Sequence, residues 1–178
     1  YLTELNATGN PITVIDLSLN PGTSKLSLGS TSLTSLNVSN LSSLRHLDIS
    51  NTSISSINVS SNTSLEELFM GDTPVSTLDL SNNTALETLD LFRGSVTNLD
   101  VSNNTALRTF YANNGDLESL DLRNGNNTNL SFISLLSNIN LTCVLVDNAA
   151  YSTTNWTNKD GHTSFGENGC GITVSPKV

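Results

Sequence analysis

"VSTLDLSNNTALETLDLFRGS", residues 75–95, is one whole unit of a pattern that runs along most of the chain. Val75, Leu78 and Leu80 are followed by Leu86, Leu89 and Leu91, so the unit holds two apolar L-x-x-L-x-L segments joined by "SNNTA". The second half recurs as a first series, beginning at Leu2, Thr23, Leu44, Leu65, Leu86 and Leu107. The first half recurs as a second series, beginning at Ile12, Leu33, Ile54, Val75, Val96 and Leu117, each 21 residues after the last. The first series resumes at Leu130, two residues late, and "NGNNTN" (124–129) is the Gly/Asn-rich stretch able to absorb the insertion.

Side chains alternate along an extended chain, so the fourth and sixth positions of each segment point inward while the third, fifth and seventh point out. One coil cannot bury its own apolar face, but stacked coils roof one another and join their leucines into columns. Parallel stacking also pairs backbone groups at about 4.8 Å spacing. The spacing predicts a repeat solenoid. Asn at the turns "SNNT" (81–84 and 102–105) suits it, because the amide bonds turn backbone and tolerates the left-handed region.

The totals agree with one folded domain of 178 residues. Only 36% of residues are hydrophobic, but their strict register argues against disorder. A net charge of −9 makes nucleic acid and anionic membrane poor partners, and no apolar run is long enough to span a bilayer. The chain opens at Tyr1 without a Met, as a mature or excised fragment would. Cys143 and Cys170, its two cysteines, bracket a non-repetitive segment; this favours a disulfide and an extracytoplasmic location over two separate buried thiols.

Over residues 2 to about 146 the pattern resembles leucine-rich repeats. More narrowly, "L-x-x-L-D-V-S-N-N-T-A-L-x-x-L" in 21-residue units resembles secreted repeat proteins of Bacteroidetes and the internalin-type adhesins with cysteine ladders. The sixth position of the first series, often Cys in that family, is here Ala7, Leu28, Ile49, Met70, Leu91 and Ala112, so the ladder is missing. The resemblance implies a right-handed coil with little helix. The first series would form a parallel β-sheet on the concave face, and the second series short or irregular strands opposite.

The expected organisation is a solenoid of about seven coils over 1–141, a capping segment over 142–174, and the start of a linker at 175–178. "DNAAYSTTNW" (147–156) is a candidate short helix with Asp147 near its N-terminus. Tyr151, Trp156 and Phe165 form the expected lid, stapled by Cys143 and Cys170. The chain enters at Tyr1-Leu2 mid-coil, so upstream repeats, a cap, or a partner such as a second, self-associating copy of the chain is expected to cover the first coil.

The two series differ in what they point outward. The second repeats Thr or Ser and Asp or Asn and predicts a flat polar surface. The first varies, and carries Arg45, His46, Asp48, Glu67, Phe69, Asp90, Phe92, Arg93, Arg108, Tyr111 and Phe132, the candidate ligand-binding residues. Exposed aromatics beside arginines supply contact area and directional bonds at binding surfaces. The alternative is that Phe69, Phe92 and Tyr111 pack on one another along the sheet.

Nothing points to catalysis. His46 and Asp48 share a face with many serines, yet no nucleophile elbow, phosphate loop or clustered metal ligands occur, so no enzyme, cofactor or metal is expected. The Asp column lacks a Ca²⁺-loop pattern and is read as solvated carboxylates. The expected function is a secreted or cell-surface recognition or adhesion module binding a protein or glycan on its variable concave face. An ice-binding surface built on the Thr/Ser/Asn ranks and a structural spacer are the alternatives.

Overall fold

The computed structural model describes residues 2–170. Residues 175–178, read as the start of a linker, lie outside the described residues, as does the last part of the capping segment. The first series forms a seven-stranded parallel sheet from β1 (Glu4–Asn6), β2 (Lys25–Ser27), β3 (His46–Asp48), β4 (Glu67–Phe69), β5 (Thr88–Asp90), β7 (Thr109–Tyr111) and β9 (Phe132–Ser134). Every pair is in register at equal repeat positions, as in Leu47↔Leu68, Leu68↔Leu89 and Leu89↔Phe110. Thr109↔Phe132 keeps that register across 23 residues, so the insertion in 124–129 is absorbed there, by a 3-10 turn at Asn127–Asn129.

The second series behaves differently along its length. β6 (Asn98–Asp100), β8 (Ser119–Leu122), β10 (Cys143–Val146) and β11 (Ser164–Gly166) make a four-stranded parallel sheet in the order β11-β10-β8-β6. Before β6 only the Thr77↔Asn98 bridge extends it, and the earlier segments run without pairing. Stacks hydrogen-bonded on one side only can fan apart on the other, while stacks bonded on both sides stay parallel. The core between the sheets is the expected set of columns, with Leu26, Leu47, Leu68, Leu89 and Phe110 fully buried. Leu28, Ile49, Met70, Leu91 and Ala112 are buried beside them where a thiol ladder would stand.

Two polar systems hold the turns. In the first, three coils place a Thr three residues past the sixth-position residue, and it donates back: Thr31 to Leu28 O and Thr52 to Ile49 O (both 2.7 Å) and Thr73 to Met70 O (2.8 Å). The second is a buried asparagine ladder in "SNNT". Asn62, Asn83 and Asn104 are fully buried, and Asn83 Nδ2 donates to Val59 O (3.1 Å) and Asn62 O (2.9 Å) of the preceding coil. Asn104 repeats this on Leu80 O and Asn83 O. These asparagines are not left-handed. Positive φ falls instead one residue before the Thr column, at Ser30, Asn51, Asp72, Arg93, Asn114 and Ser137 with φ of 53–62°, and at Gly9 (74°). The sequence signal was composition, and both turns are rich in Asn and Ser.

Where the asparagine column holds Leu41, the neighbouring Asn40 supplies the missing donor to Leu17 O (3.0 Å). Replacing Asn62 by Leu, where the neighbour is Ser61 and no second amide can reach Val38 O, is expected to cost about 2–3 kcal/mol for the stranded carbonyls. Asn40→Ala is expected to cost less, being partly exposed. Chemical denaturation of the two variants measures the difference, and equal losses would remove the ladder's special standing.

The fifth-position Asp and Asn of the second series are not merely solvated. Asp16, Asn37, Asn58, Asp79, Asp100 and Asp121 each accept the N–H two residues on, at 2.8–3.0 Å. The column is there for the turn it closes. At the C-terminus, β10 and β11 continue the second sheet, and Leu135↔Lys159 extends the first. The cap is thus built on the solenoid's own ladders. Helix α1 (Ala149–Asn155) is capped by Asn148, whose side chain accepts Tyr151 N–H at 2.9 Å. Asp147, expected at this role, reaches back to Gly125 N–H (3.1 Å) instead. Trp156 is buried edge-on to Phe165 with ring centroids 5.5 Å apart, and Tyr151 packs partly buried on the core. Cys143 and Cys170 form a disulfide.

Candidate functional site

Parallel in-register strands set equal repeat positions side by side, so the outward face of the seven-stranded sheet is organised in rows. In the second-position row Arg45 meets Glu66 through two contacts (Nη2–Oε1 2.5 Å, Nε–Oε2 3.0 Å), and Arg108 Nε lies 4.0 Å from Glu87. In the next row His46 Nδ1 is 2.6 Å from Glu67. At the left-handed turn position Arg93 Nε is 3.3 Å from Asp72, with its guanidinium 6.0 Å from the Phe92 ring centre. Each pair joins adjacent coils, and the three arginine pairs remain solvent-exposed, so each of those is worth at most about 1 kcal/mol. Their effect is to satisfy the cations expected to await a ligand.

The fifth-position row is Asp48, Phe69, Asp90 and Tyr111 on β3, β4, β5 and β7, in direct register. Carboxylates and rings alternate along it. Asp48 and Asp90 each accept one N–H, from Ser50 (2.9 Å) and Phe92 (2.8 Å). Tyr111 stacks on Phe132 with centroids 4.5 Å apart, and Phe69 lies against the His46 ring at 5.4 Å. Among the described residues no ring contact joins Phe69 to Phe92 or Tyr111; strand β5, with Asp90, stands between the strands that carry Phe69 and Tyr111. Burial pushes the Asp90 carboxyl above its usual range, and repulsion from Asp48 and Asp72 adds to this against the Phe92 N–H bond.

The candidates thus divide. Asp48, Phe69, Asp90, Tyr111 and Phe132 form one surface, with Phe92 38% exposed beside it. Arg45, His46, Glu67, Arg93 and Arg108 make the ion pairs that frame it.

Ser27, absent from the sequence-based candidates, brings a triad-like line across three strands: Ser27 Oγ is 3.4 Å from His46 Nε2, whose other nitrogen meets Glu67. The line lacks what acyl transfer needs. Ser27 is 7% exposed and lies in β2, paired on both sides, and Leu28 N–H is spent on Asp48 O (2.8 Å). Asp48 is the in-register neighbour of this hydroxyl, which is where a negative charge is worst placed for an oxyanion.

The opposite face is not the flat polar surface expected. Ile15, Leu36, Ile57 and Leu78 are only partly buried where the second series runs unpaired, and Val14 and Leu19 are 83% and 84% exposed. An open depression of about 590 Å³ spans Leu78, Asn98, Asp100, Ser119, Asp121 and Leu145. The polar ranks run along all the coils, but before β6 they lie beside these partly buried apolar residues. The sequence hinted at this only through Val14 and Leu145, apolar at outward positions.

Among the described residues no helix is long and apolar enough to cross a membrane, and no His, Cys, Asp and Glu side chains gather as a metal site. No family model matches the chain. No curated protein matches it in sequence. Solved structures do match. The functional domain of InlJ from Listeria monocytogenes, described as including a cysteine ladder, is 28% identical over 82% of this chain with a TM-score of 0.57. An internalin of the same organism, InlF, is 24% identical over 82% with a TM-score of 0.60. A leucine-rich-repeat protein of Leptospira interrogans is 18% identical over 82% with a TM-score of 0.65. The chain spans 39%, 42% and 50% of those three structures. The fold is that of internalin-type leucine-rich-repeat proteins, with apolar side chains in place of a cysteine ladder.

Proposed function

We propose that this chain, sharing the internalin-type fold, is a protein-interaction or adhesion module, secreted or displayed at a cell surface. It engages a protein or glycan through the outward face of the seven-stranded sheet. The observation that carries the reading is the Asp48–Phe69–Asp90–Tyr111 row, which fixes two large rings on rigid paired strands at positions a solenoid leaves to solvent. The disulfide and the internalin-type neighbours support an extracytoplasmic setting.

The Phe69→Ala, Tyr111→Ala double variant is expected to lose partner capture from cell-surface protein and glycan preparations. Its melting temperature should move by no more than about 4 °C, since the rings lie outside the core. Retention of capture by the folded variant would place the binding surface elsewhere.

A further inference from the structure

The seven-stranded face carries seven carboxylates (Glu4, Asp48, Glu66, Glu67, Asp72, Glu87, Asp90) against four Lys and Arg residues (Lys25, Arg45, Arg93, Arg108). The three arginines are paired with Glu66, Asp72 and Glu87, and His46 meets Glu67. Lys25 lies in register with Glu4, at the far end of the row. Asp48 and Asp90 are left without a cationic partner among the described residues. They are also the two carboxylates set in register between or beside the rings of Phe69 and Tyr111.

Resting on the reading that this face binds a partner, we infer that the partner is a protein presenting a lysine or arginine side chain, which seats over Asp90 between Phe69 and Tyr111. Each aromatic face attracts a cation, and the carboxylate between them supplies the opposite charge at the same point. Asp48, one strand beyond Phe69, adds to the same field. Burial beside the rings disfavours the ionised Asp90, and repulsion from Asp48 and Asp72 does the same; an arriving ammonium or guanidinium supplies the opposite charge that offsets both. The net charge of −9 draws basic partners toward the molecule, but the row fixes where the charge lands. A neutral glycan would find stacking surfaces here but would leave the charge at Asp48 and Asp90 uncompensated.

The test uses the folded chain and short synthetic peptides that each carry one lysine or arginine, with twins in which acetyl-lysine or citrulline replaces it. Binding is followed by titration calorimetry and by the amide resonances of β4, β5 and β7. The charged peptides are expected to bind at least tenfold tighter than their neutral twins. Asp90→Asn should erase that preference, while Asp100→Asn on the opposite sheet leaves it intact. Asn retains an acceptor for Phe92 N–H, and loss of a charge that folding disfavours should leave the melting temperature level or higher.

Equal effects of the Asp90→Asn and Asp100→Asn changes would reduce the attraction to net charge and overturn the inference. So would neutral twins that bind as well, or neutral oligosaccharides that move the β4 and β7 resonances equally in wild type and Asp90→Asn. The last result would leave the Phe69 and Tyr111 face standing as the binding surface and identify its ligand as a glycan.

Discussion

Phe110→Ala is expected to destabilise the protein by about 3–5 kcal/mol, a large fraction of what a domain of this size has to lose. Phe110 is fully buried, in a column otherwise filled by leucine up to that strand: Leu26, Leu47, Leu68 and Leu89 precede it and Ile133 follows. The truncation removes the largest fully buried side chain and leaves a cavity between two ladders whose hydrogen bonds resist collapse. The same strand shows how the larger ring is admitted. Two residues on, where other coils hold Leu28, Ile49, Met70 or Leu91, stands Ala112. Phe with Ala carries as many side-chain carbons as Leu with Leu elsewhere, and exchanges that keep the filled volume close are tolerated best. Phe110→Leu alone should therefore destabilise, and Ala112→Leu alone should overpack by about 1–3 kcal/mol. The two together should recover most of the loss. Denaturant unfolding of the four-member cycle gives the coupling; additive losses would show that the two positions are packed independently.

The columns were legible because burial and repeat spacing act together. An apolar residue every 21 positions, at two offsets, leaves no other way to hide the leucines than stacking. That reasoning placed Phe110 in the core and Tyr111 and Arg108 outside it, and the structure agrees. Pairing between surface side chains was not legible, because it depends on which long side chains reach across one strand spacing. The 21-residue period makes Arg45 and Glu66 neighbours in the stack, but which neighbouring charges close on one another depends on side-chain rotamers that the period does not fix. The amide bonds to turn backbone were expected and are present, but the left-handed position was misassigned for a related reason. Asn suits both a left-handed residue and a buried bonding ladder, and composition cannot separate the uses. The ladder is betrayed by period: Asn62, Asn83 and Asn104 keep the 21-residue spacing, whereas the left-handed position varies freely among Ser, Asn, Asp and Arg. The polar second face was overdrawn because short or irregular strands were expected there without asking what their fourth-position residues would then show. Where pairing stops, before β6, fourth-position residues such as Leu36 and Ile57 become partly visible.

Cys143→Ser, or reduction of the native protein, is expected to lower stability by about 3–4 kcal/mol, the closure entropy of a loop of this length. The bond ties residues separated by 27 positions, joining β10 to the end of the described chain across β11 and α1. Solenoid stability is a sum of nearest-neighbour contacts, so the loss should be felt first at this end. Between the cysteines lie Trp156, which is 5% exposed, and Phe165, the rings that cover the last coil. Without the link, α1 and β11 can leave together, exposing Val144 and Val146 and the pairing edge of β10. Amide exchange should therefore accelerate in residues 143–166 of the Ser variant while β2 to β5 keep their protection. The thermal midpoint should fall with reductant in wild type and not in the variant. Uniform acceleration along the whole solenoid would mean that it unfolds as one unit and that the staple acts on all of it. An unchanged midpoint on reduction would mean that the β10–β11 ladder and the Trp156–Phe165 contact hold the cap by themselves, and the disulfide would then be no measure of the compartment in which the fold is used.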